Sequence, residues 1–261
     1  MTPKILFLGQ KPIGEYCFDL IVKAELRREV KLVGCVSNTD ISNWWGTNEI
    51  YKRCLSLGIP FVSNQFRNED VILELMRSVR PDYLVSVQHG WILSEPILAL
   101  ASNGAVNLHL APLPRYQGYN CANHCILNGE TEFGVTLHSM TTEVDRGDVL
   151  ATTSIIVTNT ETAISLYYKA EKAGKQLFEK FLSSVVSGVA LASWPMIGPV
   201  KFYGRGDLEA HRTISLTNSP QVISRQARAF HFPPNRAAQF YIDGVAFDVV
   251  PTTLSPNNEE D

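Results

Sequence analysis

Residues 106–118 read VNLHLAPLPRYQG, a short strand that carries two polar side chains into a proline-rich loop. Side chains alternate along a strand, so Asn107 and His109 share one face while the apolar residues share the other. Burying an unpaired amide or imidazole costs about 1–3 kcal/mol, so this pair is poor core material. The pair suits an acyl transfer, because an amide N–H can donate to an oxyanion and an imidazole can carry a proton.

Apolar runs and helical patterns alternate on either side of this strand. The predicted elements are strands at 4–8, 31–36, 83–87 and 105–110, with helices at about 14–23, from an N-cap at Asn68 to Pro81, and from Ser94. This alternation predicts an α/β fold, a Rossmann-like, parallel-rich twisted sheet with helices on both faces. Ligands of such sheets bind beyond the carboxyl ends of strands, so the loops at 9–11, 88–90 and 109–114 should meet on one rim.

The sequence predicts a half-exposed strand at 150–157 and a long helix from about Thr162 to Leu182. Near residue 190 this regular pattern ends, because Pro and Gly residues interrupt it. We expect a catalytic domain over 1–190, a small C-terminal extension over 191–254, and a disordered tail over 255–261. The extension should hold a helix near Pro220 to Phe230 and a hairpin, 239–250, that turns at Asp243-Gly244.

Composition narrows the class of protein. Of 261 residues, 45% are hydrophobic and 19% charged, as in an ordinary globular protein. A net charge of −3 argues against a nucleic-acid partner, and no apolar run reaches the roughly 18–20 residues of a membrane span. Five scattered cysteines and a start without a signal-peptide pattern favour reduced thiols in the cytoplasm.

Two motifs together resemble the formyltransferases that use N10-formyltetrahydrofolate. The first is Asn107-x-His109-x-x-x-Leu113-Pro114-x-x-x-x-Gly118, and the second is Val144-Asp145-x-Gly147. The resemblance covers about residues 4 to 182. Beyond it, the segment 228–234, RAFHFPP, resembles one found after the core in sugar N-formyltransferases, among them GDP-perosamine N-formyltransferases.

The resemblance implies a catalytic trio of Asn107, His109 and Asp145. His109 would act as a base or stabilise an oxyanion as imidazolium, and Asp145 would orient His109 or hold a proton-relaying water. The formyl donor, N10-formyltetrahydrofolate, would be held by the loop after the 83–87 strand and by the second motif. Its predicted contacts are Gln88, His89, Gly90, Trp91, Ile92 and Val144.

Substrate contacts are less specific in sequence. The candidates are Lys11, for a phosphate, Trp44 and Trp45, for a base, and Tyr116, Tyr119, Asn120 and Arg228. Each has an ordinary structural alternative, since lysines are often solvated and tryptophans often plug a sheet edge. Cys121-x-x-His124-Cys125 has no obvious fourth ligand, so we expect buried thiols and no metal.

The implied reaction is formyl transfer to the 4-amino group of a nucleotide-linked 4-amino-4,6-dideoxy sugar, GDP-perosamine or a dTDP-linked equivalent, for lipopolysaccharide O-antigen synthesis. The rivals are methionyl-tRNA formylation, which needs a larger basic C-terminal barrel, and glycinamide ribonucleotide formylation, which leaves residues 200–250 unexplained. A non-enzymatic, folate-binding relic has no chemical need for the complete trio. The resemblance also implies a homodimer through the C-terminal hairpin.

Overall fold

A seven-stranded sheet forms the centre of the molecule. The computed structural model of the protein describes residues 2–39, 46, 49–65 and 68–252. The first elements are β1 (Lys4–Gly9), α1 (Lys11–Leu26), β2 (Lys31–Ser37), α2 (Ile50–Leu57), β3 (Phe61–Ser63), α3 (Glu69–Val79), β4 (Tyr83–Val87), α4 (Glu95–Leu98) and β5 (Ala105–His109). There follow β6 (Gln117–Gly118), α5 (Cys121–Leu127), β7 (Glu132–Ser139), β8 (Val149–Ile156), α6 (Ala163–Ser187), β9 (Phe202–Tyr203), α7 (Pro220–Phe230), β10 (Ala238–Ile242) and β11 (Val245–Val249).

The strand order of the sheet is β3-β2-β1-β4-β5-β7-β8. The first five of these strands run parallel, and β7 and β8 run antiparallel at one edge. The order reverses between β1 and β4, the place where open α/β sheets bind their ligands. The predicted fold class is therefore confirmed.

The sheet is covered on both faces, as its continuous apolar strands require. Along β1, Ile5 and Phe7 pack into the larger core with α1 and α6. Leu6 and Leu8 point the opposite way and pack into a second core beneath α3 and α4. The strand ends are thereby fixed in a rigid frame.

The predicted elements of the first half are found, with shifted ends. Helix α1 begins at Lys11 rather than near Gly14, because Pro12 is tolerated in a first helical turn. The Asn68 side chain caps α3 as predicted. The sequence analysis missed α2, β3 and β7, which are short or lack a clear period.

Helix α6 is longer than predicted at its end. It begins with a reciprocal capping box between Thr162 and Ser165 and ends at Gly188 in the left-handed conformation. Neither α6 nor another helix in the described ranges is long and apolar enough to cross a bilayer.

Residues beyond 190 pack on the larger core of the sheet. Helix α7 and the hairpin, β10–β11 with the turn at Asp243-Gly244, form where predicted. Phe230, Phe232 and Ala238 belong to the same buried cluster as residues of α5 and α6. The domain boundary near residue 190 remains a prediction, and the tail at 255–261 lies outside the described residues.

Candidate active site

One large cavity, of about 1160 Å³, lies at the carboxyl ends of the parallel strands. The loops after β1, β4 and β5 line it through Lys11, Gln88 and Leu110. The prediction that these loops meet on one rim is therefore confirmed. The C-terminal extension forms the facing wall, with Phe202, Phe230 and neighbouring residues.

The predicted trio lines this cavity together. Asn107 and His109 lie on β5, and Asp145 lies in the loop between β7 and β8. His109 Nδ1 is 3.4 Å from Asp145 Oδ1. The other carboxylate oxygen, Oδ2, accepts the backbone N–H of Gly118 at 2.8 Å. Asp145 thus has one oxygen fixed by the loop after β5 and the other facing the imidazole.

The contacts of His109 define the roles of its two ring nitrogens. Nε2 is 2.7 Å from the carbonyl oxygen of Tyr116, and a carbonyl only accepts, so Nε2 carries a proton. Nδ1 faces a carboxylate oxygen of Asp145, which can only accept a hydrogen bond.

Asn107 is held by His138, directly across from it where β5 pairs with β7. His138 Nδ1 donates to its neighbour's carbonyl, Ser139 O, at 2.8 Å, so Nε2 accepts from Asn107 Nδ2 at 3.0 Å. Burial, and then the nearby His109, lower the pKa of His138, which keeps it neutral. One hydrogen of the Asn107 amide is held by this bond and the second is not used by it.

The Tyr116 side chain is not a substrate contact. It is 1% exposed, and its hydroxyl donates to Glu130 Oε1 at 3.0 Å and accepts from Asn128 Nδ2 at 2.9 Å. The ring stacks on Tyr203 in the core. The prediction for Tyr116 was wrong, because its ring and hydroxyl are taken up by contacts in the core; its backbone carbonyl contacts His109.

The loop predicted to hold the formyl donor lines the cavity, as does the other predicted contact, Val144. The residues of this loop that line the cavity are Gln88, His89, Gly90, Trp91 and Ile92. Both ring nitrogens of His89 are buried, and neither has a hydrogen-bond partner among the described residues. Burial lowers the pKa of His89 to about 4, so the ring is neutral. Trp91 packs edge-on against it at 5.5 Å.

Three of the predicted substrate contacts, Lys11, Tyr119 and Asn120, line the same cavity. Lys11 Nζ donates to Gln88 Oε1 at 2.8 Å, and burial lowers the pKa of Lys11 to about 8. The other predicted contacts, Trp44 and Trp45, lie outside the described residues.

Arg228, a predicted substrate contact, is not among the residues that line the cavity. Its guanidinium donates to the carbonyl oxygen of Glu161 at 2.8 Å and fastens α7 to the start of α6. The sequence analysis instead missed three cavity-lining arginines of the extension, Arg205, Arg212 and Arg236, here called the arginine wall. No motif marks them, since they lie in irregular sequence.

The three members of the arginine wall differ in whether an acidic side chain pairs with them. Arg205 lies 4.5 Å from the Tyr119 ring centroid and donates to the Tyr119 hydroxyl at 3.0 Å. Arg212 is tied to Glu209 at 2.5 and 2.6 Å. In the described part of the chain, neither Arg205 nor Arg236 forms an ion pair. Such guanidinium groups favour phosphate oxygens.

The two cysteines and the histidine of α5 lie in three separate environments. Cys121 lines the main cavity, Cys125 is buried in the core, and His124 lines a separate cavity. Over the described ranges, no group of three or more His, Cys, Asp or Glu side chains is arranged to hold a metal ion.

Known proteins share the sequence family and the fold of this chain. The formyl transferase family model matches residues 27–182. A 4-N formyltransferase from Francisella tularensis shares the fold with a TM-score of 0.75 at 16% identity, over 97% of this chain and 99% of that chain. An N-formyltransferase from Helicobacter canadensis, solved with folinic acid and dTDP-3-aminofucose, has a TM-score of 0.73 at 19% identity, over 94% of this chain and 85% of that chain.

Proposed function

Because this chain belongs to the formyl transferase family, we propose that it moves a formyl group from N10-formyltetrahydrofolate to the 4-amino group of a nucleotide-linked 4-amino-4,6-dideoxy sugar. The acceptor nitrogen forms a bond to the formyl carbon, and the bond from that carbon to folate N10 breaks. The acceptor amine loses one proton and the departing nitrogen gains one.

One observation carries this proposal: a single cavity joins the trio to the arginine wall. A formyl acceptor bound there would place its amine near Asn107 and its charged end near Arg205 and Arg236. Guanidinium groups match the paired oxygens of a diphosphate. The Helicobacter canadensis enzyme, solved with dTDP-3-aminofucose, supports a nucleotide-linked amino sugar as the acceptor. The Francisella tularensis enzyme, a 4-N formyltransferase, supports the 4-amino position.

Asn107 is the proposed donor to the charge that develops on the formyl oxygen. His138 holds one amide hydrogen and, being neutral, fixes the amide so that its N–H side faces the ring nitrogen. The second N–H is then preorganised for the formyl oxygen. Removing a donor of this kind costs about 10²–10³ in kcat in other acyl transfers.

His109 is assigned to charge stabilisation rather than to proton abstraction. A general base needs a free lone pair, whereas Nε2 donates to Tyr116 and Nδ1 faces Asp145. The carboxylate of Asp145 faces Nδ1, and the N–H of Gly118 keeps that carboxylate in place.

The formyl donor suits the loop from Gln88 to Leu93. A pterin carries ring nitrogens and an amide-like edge, which would give the buried nitrogens of His89 the partners they lack among the described residues. Trp91 and Leu93 supply an apolar wall for a flat ring. When bound, the donor supplies the activated formyl carbon.

The deciding experiment offers the purified protein N10-formyltetrahydrofolate with GDP-linked and dTDP-linked 4-amino sugars, and separately with methionyl-tRNA and glycinamide ribonucleotide. Mass spectrometry of the acceptor should show a formyl group on one sugar nucleotide. Turnover with tRNA or glycinamide ribonucleotide alone would refute the proposed acceptor.

We also propose a homodimer through the C-terminal hairpin. Tyr241, Ile242, Val245 and Phe247 are each about half exposed on it, with values of 44–56%. A lone two-stranded hairpin is marginal in water, so a partner hairpin would stabilise it. Light scattering should give twice the monomer mass at micromolar protein, and Phe247→Asp should give the monomer; a wild-type monomer contradicts the proposal.

We propose that the protein works in the cytoplasm and that its product is used for lipopolysaccharide O-antigen. The five cysteines of the protein, all buried and free, suit a reducing compartment. Fractionation of cells should find the protein with cytoplasmic markers, and a deletion strain should make O-antigen without the N-formyl group. An unchanged O-antigen would remove this role.

A further inference from the structure

A second cavity, of about 760 Å³, lies on the other side of α5 from the main one. Cys121 and Ala122 of α5 line the main cavity, whereas His124 and Asn128 line the second. Helix α7 and segment 201–211 complete its walls. Its volume is in the range of sites for small metabolites.

The second cavity holds more basic than acidic side chains. Lys201 Nζ lies 5.5 Å from the Tyr203 ring centroid, and Lys201 forms no ion pair with a described residue. His211 lies edge-on to His124 at 6.4 Å. The one acidic residue, Asp207, uses Oδ2 to accept the N–H of Gly204 at 2.8 Å.

His124 is an unexplained polar group in this wall. It is 3% exposed and stacks on Tyr203 at 4.0 Å, and its Nε2 is buried with no hydrogen-bond partner in the described part of the chain. Buried nitrogens are normally paired, so this one indicates a missing partner. Burial lowers the pKa of His124 to about 4, so the ring is neutral and hydrogen-bonds rather than carries charge.

We propose that the second cavity binds a small anion that bears a phosphate or carboxylate group. Lys201 attracts its charge, and the imidazoles of His124 and His211 supply hydrogen bonds. Its occupant would contact segment 204–212, where Asp207 and His211 line this cavity while Arg205 and Arg212 line the main one.

Isothermal titration of the full chain, with no folate or sugar nucleotide present, tests the site. Inorganic phosphate and citrate are titrated separately, so that the two arms distinguish phosphate from carboxylate recognition. We expect one of them to bind the wild type, with affinity lowered about tenfold or more in Lys201→Ala and in His211→Ala. Lys180→Ala, which removes an exposed lysine of α6, should bind as the wild type does.

If neither phosphate nor citrate binds at concentrations up to about 10 mM, the proposal is overturned. Equal affinity in Lys201→Ala, His211→Ala and the wild type would do the same, because the anion would then occupy another place. Since no formyl transfer is measured, the result stands apart from the proposed enzyme activity.

Discussion

At the scale of single residues, the most informative contact is the one between His109 and Tyr116. The carbonyl oxygen of Tyr116 accepts a hydrogen bond from Nε2, and the carboxylate of Asp145 lies beside Nδ1. The same side chain read from sequence could be a base or an electrostatic stabiliser. We propose the second role, because Nε2 donates to Tyr116 and Nδ1 faces a carboxylate.

His109→Ala should lower kcat by about 10² or more, because the imidazole between Asp145 and the Tyr116 carbonyl is lost from the proposed catalytic trio. The KM for the nucleotide sugar should change little, since the arginine wall is untouched. Steady-state kinetics check both values. Near-normal kcat in a folded variant would mean that the site is misassigned.

His138→Ala should lower kcat about tenfold, because the Asn107 amide loses the acceptor that orients it. His138→Gln offers a side-chain oxygen in place of Nε2 and should recover part of that loss. A merely structural role predicts equal damage from both variants, with reduced thermal stability and no difference in kcat.

Lys11 should make substrate affinity depend on pH. Its pKa is lowered to about 8 by burial, so the ammonium is present below that pH and is lost above it. If Lys11 contacts the substrate's phosphates, the KM for the nucleotide sugar rises as pH increases through 8. Lys11→Arg keeps the charge and should flatten the profile, and a wild-type profile that is already flat contradicts the contact.

At the scale of elements, the two-residue pairing of β6 with β9 connects the extension to the catalytic loop. Gly118 lies at that pairing with φ of +88°, and a Cβ on it would meet the carbonyl oxygen of Tyr203 at 2.3 Å. The same residue gives its N–H to Asp145. A close backbone approach therefore positions the carboxylate.

Gly118→Ala should cost stability of about 1–3 kcal/mol and lower kcat about tenfold, because β6 must move from β9 and carry the Asp145 contact with it. Gly188→Ala is the matched control: φ is +69° there, but no atom lies within 4 Å of the added Cβ. That variant should lose stability alone. Urea unfolding measures the loss of stability and steady-state kinetics measure the loss of activity. Full activity of Gly118→Ala would show that Gly118 does not position Asp145.

At the scale of the whole molecule, the extension completes both the core and the cavity. Phe230 and Phe232 are buried against the catalytic core and also line the cavity. The part of the chain after residue 190 therefore contributes both to the buried core and to the lining of the cavity.

A chain that ends at residue 190 should expose this apolar surface and be poorly soluble or melt at a clearly lower temperature. The missing arginine wall should also abolish binding of a nucleoside diphosphate. Differential scanning calorimetry and titration with GDP and dTDP check these outcomes. A stable truncated protein that still binds the nucleotide would show that the extension is dispensable.

Prediction from sequence succeeded where local patterns decide structure. The strand around Asn107, the Asn68 cap and the helix that begins after Ser219 are set by alternation, capping chemistry and periodicity, which act over a few residues. Tyr116 and Arg228 were predicted to contact substrate but do not line the cavity, since a tyrosine or an arginine reads the same in sequence whether its side chain faces the core or a cavity.

Residue type and spacing were enough to predict the α/β class and the family, and to propose Asn107, His109 and Asp145 as a trio that lines one cavity. The contact of His138 with Asn107, the contact of the Tyr116 carbonyl with His109, and the cavity-lining positions of Arg205 and Arg236 emerge only in the folded chain. These contacts join residues far apart in the chain, through an antiparallel pairing and a folded-back extension. Strand register and helix docking set them, and both depend on packing of the whole core rather than on local sequence.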